Sequence, residues 1–141
     1  MTEQLLKDYL YHIYESNPFV GLLDMAISQM EKGCVTMTMP VESDRHTNLY
    51  HMAHGGALAS LADTAMGLAC CTTGKKVVTL DMSMNFIRSA EPQAAVSAVG
   101  KVVHNGSRTM VAETDIMAGD GGLVLKARGT YFVVGSFLAE E

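Results

Sequence analysis

The sequence predicts an α+β fold in which a curved antiparallel sheet of about six strands wraps around one long central helix. Residues 53–72 are an almost unbroken run of small and apolar residues, enough for about five turns of helix. A helix that is apolar nearly all round belongs in a core, not on a surface. The segments on either side alternate apolar and polar residues at strand period and are separated by glycine-rich turns. One buried helix against a set of antiparallel strands makes two layers.

The elements follow in order. Leu5, Leu6, Tyr9, Leu10 and Ile13 recur at helical spacing, which predicts a short helix within residues 1–17, stopped by Pro18. Residues 19–31 and 33–41 read as two strands around Gly33, the second alternating Val35, Met37 and Met39 with Thr36 and Thr38. Residues 42–53 form a polar loop, and Gly74 ends the long helix that follows. Val78, Leu80, Met82, Met84 and Phe86 then alternate with Thr79, Asp81, Ser83 and Asn85. Residues 93–104 and 108–118 pair through His104-Asn105-Gly106-Ser107, where Asn-Gly is a strong hairpin signal. The turn Gly119-Asp120-Gly121-Gly122 leads into residues 123–134. These last four strands are expected to form a meander. No linker or internal repeat interrupts the chain, so residues 1–141 read as one domain.

Composition narrows the function. A formal charge of -5, with no basic stripe, argues against nucleic-acid binding. Eleven methionines either replace leucine in the core or line a pocket for variable apolar ligands. Cys34, Cys70 and Cys71 are an odd number without a disulfide framework or metal-type spacing, as expected of a reducing, cytoplasmic compartment. The N-terminal segment is charged and amphipathic, unlike a signal peptide, and no apolar run reaches the roughly 18 residues of a membrane span. His46, His51 and His54 suit no common zinc spacing, so no metal is expected. Gly74-Lys75-Lys76 lacks the earlier glycine of a phosphate loop, and Ser60 lacks a nucleophile elbow.

The chemistry concentrates in residues 47–67, TNLYHMAHGGALASLADTAMG. Gly55 and Gly56 at the mouth of a helix disfavour helix formation. They make sense where a ligand approaches free N–H groups at the positive end of the dipole, or where helices pack closely. Asp63 lies among Leu61, Ala62, Ala65 and Met66, where a carboxylate is either paired or chemically employed. If Gly55 N–H polarises a carbonyl and Asp63 acts as general base on a water or as nucleophile, their separation matters. Eight helical residues span about 12 Å, too far for both to reach one carbon. Gly55 of one subunit must then meet Asp63 of another, as a two-fold homodimer allows.

With Asn48, His54-Gly55-Gly56 and Asp63 in this order, the chain from about residue 18 onward resembles the hotdog fold. More narrowly, it resembles the PaaI-like acyl-CoA thioesterases. The resemblance implies hydrolysis of an acyl-CoA without metal or organic cofactor, coenzyme A being part of the substrate. It also implies a homodimer, extended to a dimer of dimers. Asn48 matches a residue that orients the thioester or water, though an Asx turn explains it as well. Thr79 matches a hydroxyl that steadies the water, or is an ordinary strand threonine. His54 braces the turn, and Gly56 joins Gly55 in binding substrate. Arg88 and Arg108 are the candidates for coenzyme A phosphates, with solvated surface charge the plainer reading. Two alternatives stand beside this one. An acyl-CoA dehydratase or hydratase would need a glycine- and proline-rich histidine loop that is absent. A non-catalytic acyl-CoA sensor would need an output domain and no base at Asp63.

Overall fold

The computed structural model describes residues 1–138. Two short helices, α1 (Glu3–Glu15) and α2 (Pro18–Leu22), precede the strands β1 (Ala26–Glu31) and β2 (Cys34–Pro40). The long helix α3 (Gly55–Cys71) is followed by β3 (Lys75–Phe86), β4 (Ala95–Asn105), β5 (Thr109–Ala118) and β6 (Leu123–Ser136). All six strands form one antiparallel sheet in the order β1-β2-β4-β5-β6-β3.

α3 is buried as its composition demands. Ten of its residues are buried, among them Leu61, Ala62, Ala65 and Met66. The helix packs against β2, β3, β4, β5 and β6. β4 approaches closely at Gly100, where a Cβ would stand 2.5 Å from the Ala65 carbonyl oxygen. Gly74, at φ +98°, turns the chain out of the helix as expected. Thr72 Oγ1 accepts a 2.7 Å bond from Gly33 N–H, tying the helix end to the β1–β2 turn. The three cysteines are free, and burial pushes the Cys70 thiol up to about 12.

The structure corrects several boundaries. Pro18 does stop α1, but it also starts α2, because Asn17 Oδ1 accepts the N–H groups of Phe19 and Val20. Residues 18–22 are therefore helical, and the first strand begins only at Ala26. Ala53 and His54 lie outside the central helix, His54 being its N-cap. Asn105 and Gly106 do not form a two-residue turn; Asn105 still pairs with Met110, and Gly106 N–H bonds to Thr109 O. β3 is not part of a four-strand meander. It crosses to the far edge and pairs with β6, leaving β2 beside β4.

β3 also breaks its expected alternation. Thr79 pairs with Tyr131 and Asp81 with Thr130, so Leu80 is the extra residue of a β-bulge. Before the bulge Val77 packs toward the core, and after it Met82 and Met84 do. Val78 and Leu80 face outward, 51% and 58% exposed.

The Gly100 contact yields a prediction. Gly100→Ala should cost about 1–3 kcal/mol by forcing β4 away from α3, read as a lower midpoint in urea or thermal unfolding. Unchanged stability would show that sheet and helix separate freely there.

Candidate active site

Asp63 is the only charged residue of α3 and is half-buried on its flank. Its Oδ1 accepts two hydrogen bonds, from Thr79 Oγ1 at 2.8 Å and from the Tyr131 hydroxyl at 2.9 Å. The Tyr131 hydroxyl also lies 3.1 Å from the Asp63 carbonyl oxygen. The bulge at Leu80 makes this possible: it keeps Thr79, opposite Tyr131, on the face toward α3. Burial, reinforced by the neighbouring Asp63 charge, holds the Tyr131 phenol far above its ordinary range. It therefore remains a donor throughout the working pH range.

A cleft of 380 Å³ opens over this cluster. α1 and α2 supply one wall through Ile13, Tyr14, Phe19 and Val20, and Val77 supplies another part. Burial raises the Tyr14 phenol as well, with Cys71 adjacent. A separate cleft of 270 Å³, sharing no lining residue with the first, lies at the start of α3 between Gly55, Leu58, Phe86 and Arg88.

The glycine turn is held from both sides. His54 N–H donates to His46 O at 2.7 Å, and Ala53 N–H to Ala90 O at 2.9 Å. His54 Nδ1 accepts the Gly56 N–H at 2.8 Å, which places the proton of the neutral ring on Nε2. Gly56 N–H is thus already used by the cap, whereas Gly55 N–H has no partner among the described residues. Only one of the two expected donors is available to a ligand.

The other candidates separate. Asn48 Oδ1 accepts from Tyr50 N–H and Met52 N–H, at 2.9 and 3.1 Å, an Asx-type arrangement that shapes the loop around His51 at φ 63°. Asn48 lines neither cleft. Arg88 stands beside Gly55 but donates to both oxygens of Asp120 at 2.8 Å. Arg108 is exposed in the β4–β5 turn, which Lys75 ties to the opposite end of β3 from Arg88. One chain therefore cannot bring both arginines to one mouth. His46 is 1% exposed, with Nε2 directed at Leu23 O, and serves the loop. Among the described residues no group of three His, Cys, Asp or Glu is placed to hold a metal ion, and no helix is long and apolar enough to cross a membrane.

Tyr131 and the α1–α2 wall are absent from the sequence reading. Neither carries a local signal, because each reaches Asp63 only through the order of the strands and the return of α1 over the core.

A sheet curved around one helix, with a hydroxyl-bonded carboxylate on that helix and an open N–H at its start, is the hotdog fold of thioester hydrolases. Comparison with known proteins agrees. The model of the thioesterase superfamily matches residues 50–125. The acyl-coenzyme A thioesterase PaaI of Escherichia coli is 30% identical over 129 residues, covering 92% of this chain and 91% of that protein. The structure of E. coli PaaI superposes with a TM-score of 0.89 at 27% identity, covering 96% of this chain and 98% of the other. The E. coli 1,4-dihydroxy-2-naphthoyl-CoA hydrolase is 36% identical over 79% of this chain and 82% of its own length. A thioesterase protein of Streptococcus pneumoniae, solved with coenzyme A, matches at 35% identity and TM-score 0.76, over 79% of this chain and 90% of that one. The chain belongs to the thioesterase superfamily and is a PaaI-like thioester hydrolase.

The His54 cap is testable by itself. His54→Ala should cost about 1 kcal/mol, a fall of roughly 2–4 °C in melting temperature, while His54→Asn should recover most of it. Equal melting of all three proteins would remove the capping role.

Proposed function

We propose that the chain hydrolyses acyl-CoA thioesters by a water that Asp63 activates, while Gly55 N–H polarises the thioester carbonyl. The observation that carries this is the pair of half-sites: a carboxylate on one cleft and an open helix N-terminus on the other. Asp63 takes up the proton of the attacking water. The oxyanion that develops is stabilised by Gly55 N–H and by the positive end of the α3 dipole. Thr79 holds the carboxylate and steadies the water beside it. Collapse of the tetrahedral intermediate breaks the C–S bond and leaves the free acid, and the departing coenzyme A sulfur takes the proton that Asp63 had accepted, which regenerates the base. No metal or organic cofactor enters this scheme.

Two independent facts support these roles. The names and contents of the relatives concern acyl-CoA thioesters, including one structure with acetyl-CoA bound. In the pneumococcal relative, an aspartate and a threonine sixteen residues apart were each replaced by alanine in solved variants; Asp63 and Thr79 have the same separation.

The two half-sites belong to one working site only if they come from two chains. Gly55 and Asp63 remain about 12 Å apart along one helix. β3 offers the means of assembly. It is an edge strand of 12 residues with Val78 and Leu80 exposed, a surface that a second copy would cover. The active unit is a homodimer with two equivalent sites, able to associate further into a dimer of dimers. Arg88 becomes available to a coenzyme A phosphate only by leaving Asp120, and Arg108 stands free at the other end of the sheet.

Incubation with acetyl-, hexanoyl- and benzoyl-CoA, with released thiol measured, should show turnover of at least one. Hydration of an enoyl-CoA without thiol release, or binding without either reaction, would contradict hydrolysis. Asp63→Ala should lower kcat by about 100-fold or more. Gly55→Pro deletes the N–H at a helix position proline tolerates, its ring lying against Phe86, and should also be nearly inactive. Refolded together as a 1:1 mixture, the two inactive proteins should regain about a quarter of the wild-type activity, because about half of the dimers are heterodimers and one of the two sites in each then has both groups. No recovery in verified heterodimers would place the site within one chain.

A further inference from the structure

We propose that Tyr131 is a positioning residue that fixes the Asp63 carboxylate by its Oδ1, making Oδ2 the oxygen that takes the proton from water. This rests on the assignment of Asp63 as the base. Both hydroxyl donors, Thr79 and Tyr131, meet the same oxygen. Oδ2 receives no hydrogen bond among the described residues. Among the described residues no buried side-chain oxygen or nitrogen lacks a partner, so an unpartnered Oδ2 must reach the solvent of the cleft that Asp63 lines. The two oxygens are thereby unequal: one anchored, one open.

The fold makes room for this anchor. Tyr131 is 1% exposed, yet its hydroxyl emerges at the cleft that Asp63 lines. Its ring lies between two glycines. A Cβ at Gly129 would stand 2.8 Å from the ring and 3.2 Å from the hydroxyl oxygen, and one at Gly67 would touch the other ring edge at 3.5 Å. Tyr131 and Thr79 face each other across β6 and β3, so strand pairing itself sets the distance between the two donors. The phenol oxygen also lies 3.1 Å from the Asp63 backbone carbonyl oxygen, so its one proton is directed into the space between main-chain and side-chain acceptors of the same residue. A carboxylate on a single-bonded stem has rotational freedom, and two donors on one oxygen remove it.

The test is Tyr131→Phe, which keeps the ring and deletes the hydroxyl, measured alone and with Asp63→Ala on the best acyl-CoA of the three above. The expected result is a fall in kcat of about ten-fold, the worth of one hydrogen bond to a charged group, with KM within about two-fold. In the Asp63→Ala background the same change should have no further effect. Wild-type kcat in Tyr131→Phe, or an effect confined to KM, would overturn the proposal. So would an equal fall with and without the carboxylate, which would mark Tyr131 as merely structural. Should Asp63→Ala be too slow to measure, the split between kcat and KM in Tyr131→Phe decides. Undiminished activity in Asp63→Ala would instead remove the base itself, a separate result.

Discussion

Everything in this molecule depends on the enclosure of α3 by the sheet. The helix is built of small side chains because β4 passes so near that Gly100 alone fits against the Ala65 carbonyl. Ala62, Ala65, Leu68 and Ala69 are fully buried, and larger residues there would push helix and sheet apart. A close-packed helix of this kind has no place for an unpaired charge. Asp63 is tolerated because it lies at the flank, where Thr79 and Tyr131 supply donors and a cleft admits water. The same packing that makes the core thus creates an ordered carboxylate.

That enclosure also explains why the site is divided. With the body of α3 covered, only its N-terminus and one flank are open to a ligand, and these are separate clefts. The N-terminus offers a single free N–H, because His54 consumes the next one. The flank offers the Asp63 carboxylate. A straight helix cannot fold its two ends onto one atom, so a symmetric partner is the simplest way to unite them.

Much of the site was legible because its parts are local. Gly55, Gly56 and His54 are neighbours, and the conflict of two glycines with helix propensity is visible in any window. Asp63 stands out as the lone charge in an apolar helix. The Asn48 Asx turn, too, is local chemistry, and it was one of the two readings open at that position. The rest depends on contacts that periodicity does not carry, distant ones for Arg88 and β3 and a short-range one for residues 19–22. Arg88 is a candidate phosphate ligand by sequence, and its pairing with Asp120, on another turn, is not visible there. Alternation in β3 looked continuous because a bulge leaves no mark in the pattern; it arises from pairing with β6. Residues 19–22 read as strand because their apolar run is short, and the capping of Phe19 and Val20 by Asn17 decides otherwise.

The sequence by itself determined the helix, most of the strands, the two candidate groups on that helix, and the distance between them. Those follow from periodicity and helical rise, which each segment carries alone. Only the tertiary structure decided that β3 lies beside β6, that Thr79 rather than Leu80 turns toward the helix, and that Tyr131 reaches Asp63. Strand order is settled by which arrangement closes the sheet around α3, a competition among non-local pairings that no short segment records.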